Sequence, residues 1–302
     1  VIALHADWSM HAAKRYHALA RRVDDFWALA APRLVGEPMA LLAPLLAEGV
    51  PVAMGLDLPL GLPRAYAAHC AEADFPAFLR ARLRTPEFFA VNETLATISR
   101  ERPFYPARGV KGMTRLSHAR ALGMADAGEL SRHCDRATAL RPAGAPVFWT
   151  LGANQSGKAA ISAWRDWLAP AMAAGAPLAL WPFEGALHDL LRPGRVVLAE
   201  VYPAEALRQL GLKLAGSKRD QGVRRALAPA LRDALDRARA RPDAALEATI
   251  ADGFGADAAG EDRLDCVLGL LCMLQVLDGR RADHVPEDRW IRQWEGWVLG
   301  QA

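Results

Sequence analysis

Residues 50–63, VPVAMGLDLPLGLP, constrain the fold most strongly. The run is apolar at nearly every position up to Asp57 and lacks the alternation of a strand with one face in water. Such a strand belongs at the centre of a sheet covered on both faces, the situation of α/β proteins. Pro59 and Pro63 prevent a regular ladder from continuing, so the strand ends at Asp57. A carboxylate at the end of a buried strand is costly unless something compensates it. The opening VIALHADWSM repeats the design, with Val1 to Leu4 as a buried strand followed by Asp7. GRVVLAEVYPAEALRQLG repeats it again, with Glu200 closing a strand before a helix.

The remaining segments fill in an α/β pattern. A run around Tyr16 to Val23 and the stretch DDFWALAAPRLVG read as second and third strands, joined by hairpins. EPMALLAPLLAEG reads as a helix, with a proline near its start and Gly49 as its stop. Residues 64 to about 176 read as mostly helical, and APLALWPFEG as a further short strand. KRDQGVRRALAPALRDALDRARA and EDRLDCVLGLLCMLQVL close the chain as helices before a tail with Trp290, Trp294 and Trp297. Those tryptophans are spaced for helical packing. The expectation is a mixed sheet, three antiparallel strands followed by parallel crossovers, built from residues 1–63 and 195–302. Residues 64–194 form a largely helical insertion into which APLALWPFEG brings one strand.

Composition sets outer bounds. A chain of 302 residues, 52% hydrophobic and 24% charged, can bury a substantial core. The net charge of +3 permits a polyanionic partner without requiring one. Cys70, Cys134, Cys266 and Cys272 show no CxxC spacing, and no signal peptide precedes the first strand. A reduced, cytoplasmic compartment is therefore expected. Starting directly on a strand suits a chain that lacks a short native N-terminus. No run approaches the ~18 apolar residues of a membrane helix, so no membrane association is expected.

The acids then form a constellation. Asp262 and Asp265 open the apolar helix EDRLDCVLG three residues apart, on neighbouring faces of one turn. Parallel crossovers put the first strand beside the fourth, bringing Asp7 and Asp57 to one edge with the late helix nearby. Clustered carboxylates repel and raise one another's pKa unless cations join them. Hard oxygen ligands suit Mg²⁺ or Mn²⁺, and two such ions ~4 Å apart promote phosphodiester hydrolysis. Asp7, Asp57, Glu200 and Asp265 are the expected metal ligands and catalytic acids, with Asp262 as alternative ligand or neighbour.

The stretches HADWS…KR, GLDLPLGLP, AEVYPAEA, SKRDQGVRR and EDRLDCVLG resemble a bacterial and archaeal family of predicted ribonuclease-H-like nucleases. The two-acid helix is also similar to that of Holliday-junction resolvases. The resemblance covers the first 63 residues and roughly 195 to 275. It implies a ribonuclease-H-like fold and divalent-metal-dependent hydrolysis of DNA or RNA, with Asp7, Asp57, Glu200, Asp262 and Asp265 at the family's acidic positions. One departure is Glu200, a third acid late on a strand, where ribonuclease H itself has an acid on its first helix.

Other signals compete. GANQSGKA, residues 152–159, follows the strand-like PVFWTL, precedes a helix and fits the GxxxxGK phosphate loop, but Ala159 stands where Ser or Thr should hold Mg²⁺. Lys158 remains a candidate phosphate contact. From Arg208 to Arg241 there are ten Lys or Arg against three Asp, either a solvated helix face or a phosphate-binding flank led by Lys218 and Arg219. Lys14 is placed to join them, and Glu184 in WPFEG is a weaker acidic candidate. Two other function classes stay open: a nucleotide-dependent phosphotransferase, and a non-catalytic nucleic-acid-binding protein.

Overall fold

The computed structural model describes residues 1–139, 141–151 and 156–301. Strand β1 (Ile2–Asp7) pairs antiparallel with β2 (Tyr16–Val23), and β2 with β3 (Phe26–Leu34). Helix α1 (Pro38–Ala47) then carries the chain across to β4 (Val52–Leu56), which lies parallel to β1. The Glu37 carboxylate caps α1 by accepting from the Met39 and Ala40 N–H groups, and Gly49 turns the chain with φ +70°. Strands β5 (Leu178–Leu180) and β6 (Val196–Glu200) extend the parallel half beyond β4. With β7 (Ala240–Pro242) at the edge beyond β3, the seven-stranded order is β5-β6-β4-β1-β2-β3-β7, so β1 and β4 lie at the centre, as the apolar run at 50–63 requires.

Strand alternation divides the core into two layers. Ile2, Leu4 and Ala6 share one face with Val52, Met54, Leu56 and Leu198, under α1 and residues 64–180. Ala3, Ala53, Val197 and Ala199 share the other face with helix Gly260–Leu277. Two glycines bring that helix unusually close. A Cβ at Gly269 would stand 2.3 Å from the His5 ring, and one at Gly55 would stand 2.5 Å from Met273 Sδ. Asp262, Asp265 and Gly269 lie at i, i+3 and i+7, so the face that touches the sheet also carries the acids. Gly269→Ala is expected to overpack this contact and cost ~1–3 kcal/mol in a denaturant melt. A loss near zero would show that the helix moves away freely.

Three expectations need correction. Residues 64–194 hold short helices, such as α2 (Phe75–Arg82), separated by 3-10 turns and irregular chain, and one longer helical stretch in which α3 (Ser156–Ala163) runs through a π turn (Trp164–Leu168) into α4 (Ala169–Ala173). Prolines spaced through this stretch interrupt longer helices. The strand-like PVFWTL is instead a turn whose one β-bridge runs from Trp149 to Tyr105. A seventh strand, β7 (Ala240–Pro242), follows helix α5 (Gln221–Arg237) and pairs parallel with β3 although its sequence, Ala-Arg-Pro, carries no apolar run. Among the described residues no helix is long and apolar enough to cross a membrane.

Candidate metal centre and its cleft

The sheet register decides which acids meet. Ala6 pairs with Leu56, and the Asp57 N–H donates to the Ala6 carbonyl at 3.0 Å. Asp7 and Asp57 therefore sit side by side, one residue past that pair, on the face covered by helix α6 (Gly260–Leu277). Asp262 and Asp265 descend on them from the first turns of α6. The Asp7 carboxyl is within hydrogen-bonding reach of both Asp57 and Asp262. No side chain caps α6, so Asp262 is not spent as a helix cap.

Electrostatics follow from this crowding. Burial, then the charges of Asp57, Asp265 and Asp262, push the Asp7 carboxyl well above the usual range. Burial and Asp265 push Asp57 up to about 7, against the opposing pull of Lys218. Asp265 rises to about 6 through burial, again opposed by Lys218. Asp262 rises through burial and Glu261, opposed by Lys14. Burial would lower the Lys218 ammonium, but Asp265, at 2.5 Å, outweighs it and holds Lys218 above its ordinary value. The second oxygen of Asp265, Oδ1, is buried without a hydrogen-bond partner. An acidic pocket with one buried oxygen unanswered is short of positive charge.

The raised carboxyl values fix a pH dependence. A folded-state pKa above the unfolded one means that the folded protein holds extra protons between about pH 4 and 7. The acid cluster therefore penalises the metal-free fold most above pH 7 and least near pH 4. His5 and His118 act in the opposite sense. Burial lowers both to about 4, so their contribution is complete above pH 6.5 and is lost as pH falls toward 4. Asp57→Asn removes only an acid contribution. Metal-free melts across pH are expected to show the variant gaining most over wild type at pH 8, with the gain shrinking toward pH 5. A gain independent of pH would contradict the raised carboxyl.

Glu200 does not join this cluster. It is level with Leu56 in the register and so projects from the opposite face of the sheet to Asp7 and Asp57. There it is fully buried against Arg132, whose guanidinium donates to both Glu200 oxygens at 2.6 and 2.7 Å. Arg132 also donates to both oxygens of Asp135, at 2.8 and 3.0 Å, while the Leu60 N–H donates to Glu200 at 2.7 Å. Cys134, Asp135 and Glu200 offer ligand atoms within 4.8 Å of one another, a set closer than the four aspartates form among the described residues. A guanidinium already occupies the place of a cation there, however, and burial pushes the Cys134 thiol up, away from the thiolate a metal needs. The expected ligand role of Glu200 is thus replaced by a buried ion network.

The aspartates floor a cavity of about 740 Å³ whose walls carry Lys158, Lys218 and Arg219, together with Arg108 and Arg141. Lys218 and Arg219 also reach Glu261, at 3.7 and 3.6 Å. Lys14 is exposed at the 3-10 turn after β1, with its charge felt by Asp262. Lys158 lies in α3, but residues 152–155 of the GxxxxGK motif fall outside the described residues. Glu184 is exposed and closes the turn after β5 by accepting from the Leu180 N–H, away from the cleft. Trp294 and Trp297 are buried in packing. Sequence reasoning missed Arg132, Arg108 and Arg141, which come from the irregular segment. Glu200 carried no signal of its face in the sequence, because that face is set by the register of β4 with β6, which places it beside Leu56. Comparison with protein-family models, with curated proteins and with solved structures finds no match.

Proposed function

We propose that this cleft hydrolyses phosphodiester bonds in nucleic acid with Mg²⁺ or Mn²⁺. The observation that carries the reading is the pairing of Asp7 and Asp57 on adjacent parallel strand ends, with Asp262 and Asp265 of α6 above them. The donors fit a hard divalent cation: four carboxylates, one with a buried oxygen that lacks a partner. Asp7, Asp57 and Asp265 would hold it, with Asp262 as the alternative. When bound, such an ion supplies Lewis acidity and a more acidic water. Lys218, Arg219 and Lys158 line the same cavity and would orient the phosphate and neutralise its charge. The strand order supports a ribonuclease-H-like reading, since three antiparallel strands are followed by β4 and β6 in parallel crossover. Localisation in the cytoplasm accords with the four free cysteines.

The test is cleavage of single- and double-stranded DNA and RNA with Mn²⁺ and with chelator. Ion-dependent cleavage is expected. Tight nucleic-acid binding with no cleavage under either condition would favour a non-catalytic protein.

A further inference from the structure

A second cavity, of about 870 Å³, lies at the opposite end of the central strands, where Pro51 leads into β4. Its walls carry Arg22, Arg237, Arg239, Arg280 and His188, with one carboxylate, Asp278. Separate segments bring the arginines together. Arg22 lies near the end of β2, Arg237 closes helix Gln221–Arg237, Arg239 leads into β7, and Arg280 follows α6.

Asp278 answers only part of this charge. It pairs with Arg22 at 2.6 Å and Arg280 at 3.1 Å, and accepts from the Trp27 indole N–H at 3.1 Å. Arg237 donates to the Leu210 carbonyl at 3.3 Å, and Arg239 reaches the exposed Asp25 at 4.0 Å. Arg280 also donates to the Arg237 carbonyl, so part of the cluster caps helix ends, where cations are favoured. Arg22 and Arg280 each spend two donors on such partners. Arg237 spends one on the Leu210 carbonyl and Arg239 stands 4.0 Å from Asp25, which leaves most of the five donors of these two for a ligand. Arg239 is moreover held in the left-handed region at φ +49°, its carbonyl accepting from the Trp27 N–H at 2.8 Å. A non-glycine residue stays there only when its surroundings impose it, a condition common at ligand sites.

We propose that this cavity binds a phosphate-bearing anion, with Arg237 and Arg239 as its main contacts. Guanidinium forks match phosphate oxygens in pairs, and the volume is that of a small-molecule site. Buried Trp27 offers no open ring face for a base, so recognition rests on phosphate. The phosphate belongs either to a free phosphorylated molecule or to a nucleic-acid backbone.

Calorimetric titration of the full chain with inorganic pyrophosphate, with a nucleoside triphosphate and with a single-stranded oligonucleotide separates these sources. The expected result is saturable binding that weakens about tenfold or more in Arg237→Gln/Arg239→Gln. It should persist in Arg165→Gln, which removes an exposed arginine that lines neither cavity. Weakening confined to the oligonucleotide assigns the site to a polynucleotide; weakening for the small ligands assigns it to a free phosphorylated molecule. Arg239→Gln alone repeats the test if the double variant fails to fold. Unchanged affinity in the arginine variants, or no binding of any of the three by wild type, overturns the proposal and leaves the arginines as caps.

Discussion

Asp7→Asn is expected to reduce ion-dependent hydrolysis on the order of 10³-fold, the scale on which removing a residue central to charge stabilisation acts. Asp7 is in reach of both Asp57 and Asp262, so its loss disturbs the whole acidic set. The substitution nearly keeps shape and removes a charge from a crowded site. The metal-free variant should therefore melt no lower than wild type, and higher above neutral pH. Mn²⁺ stabilises the native state by mass action, and that added stabilisation should shrink in the variant. A turn or cap residue would behave in the opposite way, lowering the metal-free melting temperature and leaving the ion response intact. Thermal melts with and without Mn²⁺, paired with the cleavage assay, distinguish the two.

Arg132→Met should be the most damaging single change to stability. Arg132, Glu200 and Asp135 are at most 1% exposed, so the variant strands two carboxylates in the core. Removing one partner of a buried ion network costs ~3–5 kcal/mol, which corresponds to a fall on the order of 10 °C for a large domain. Glu200→Gln added to Arg132→Met should recover part of the loss, because a neutral amide no longer needs a cation. An exposed ion pair would cost ~0–1 kcal/mol, so a fall of that size would contradict the buried network. Because Glu200 faces away from Asp7, the Mn²⁺ response of the folded fraction should survive in both variants.

Much of the sheet was legible because its signals are local. The apolar runs at 2–6 and 52–56 and the hairpin spacing of β2 and β3 name their own elements, and parallel crossover then brings Asp7 and Asp57 together. The α6 acids were legible through helical spacing, since Asp262, Asp265 and Gly269 share one face. Glu200 was misplaced because it ends its strand as Asp7 does, and only the register between strands, Ala6 beside Leu56 beside Glu200, puts it on the other face. Arg132 was illegible because its partners, Glu200 and the Leu60 and Glu295 carbonyls, lie 68, 72 and 163 residues away. β7 was illegible for a related reason. Its three residues pair only because β3 offers a free edge, and nothing in Ala-Arg-Pro requires a strand.

Anomalous scattering from crystals soaked in Mn²⁺ locates the carboxylates that hold the ion. An anomalous peak is expected between Asp7 and Asp57, within ligand distance of an α6 carboxylate oxygen, with Lys218 drawn off Asp265. A peak at Cys134, Asp135 and Glu200, or none at the strand ends of β1 and β4, would contradict a metal centre at the aspartates.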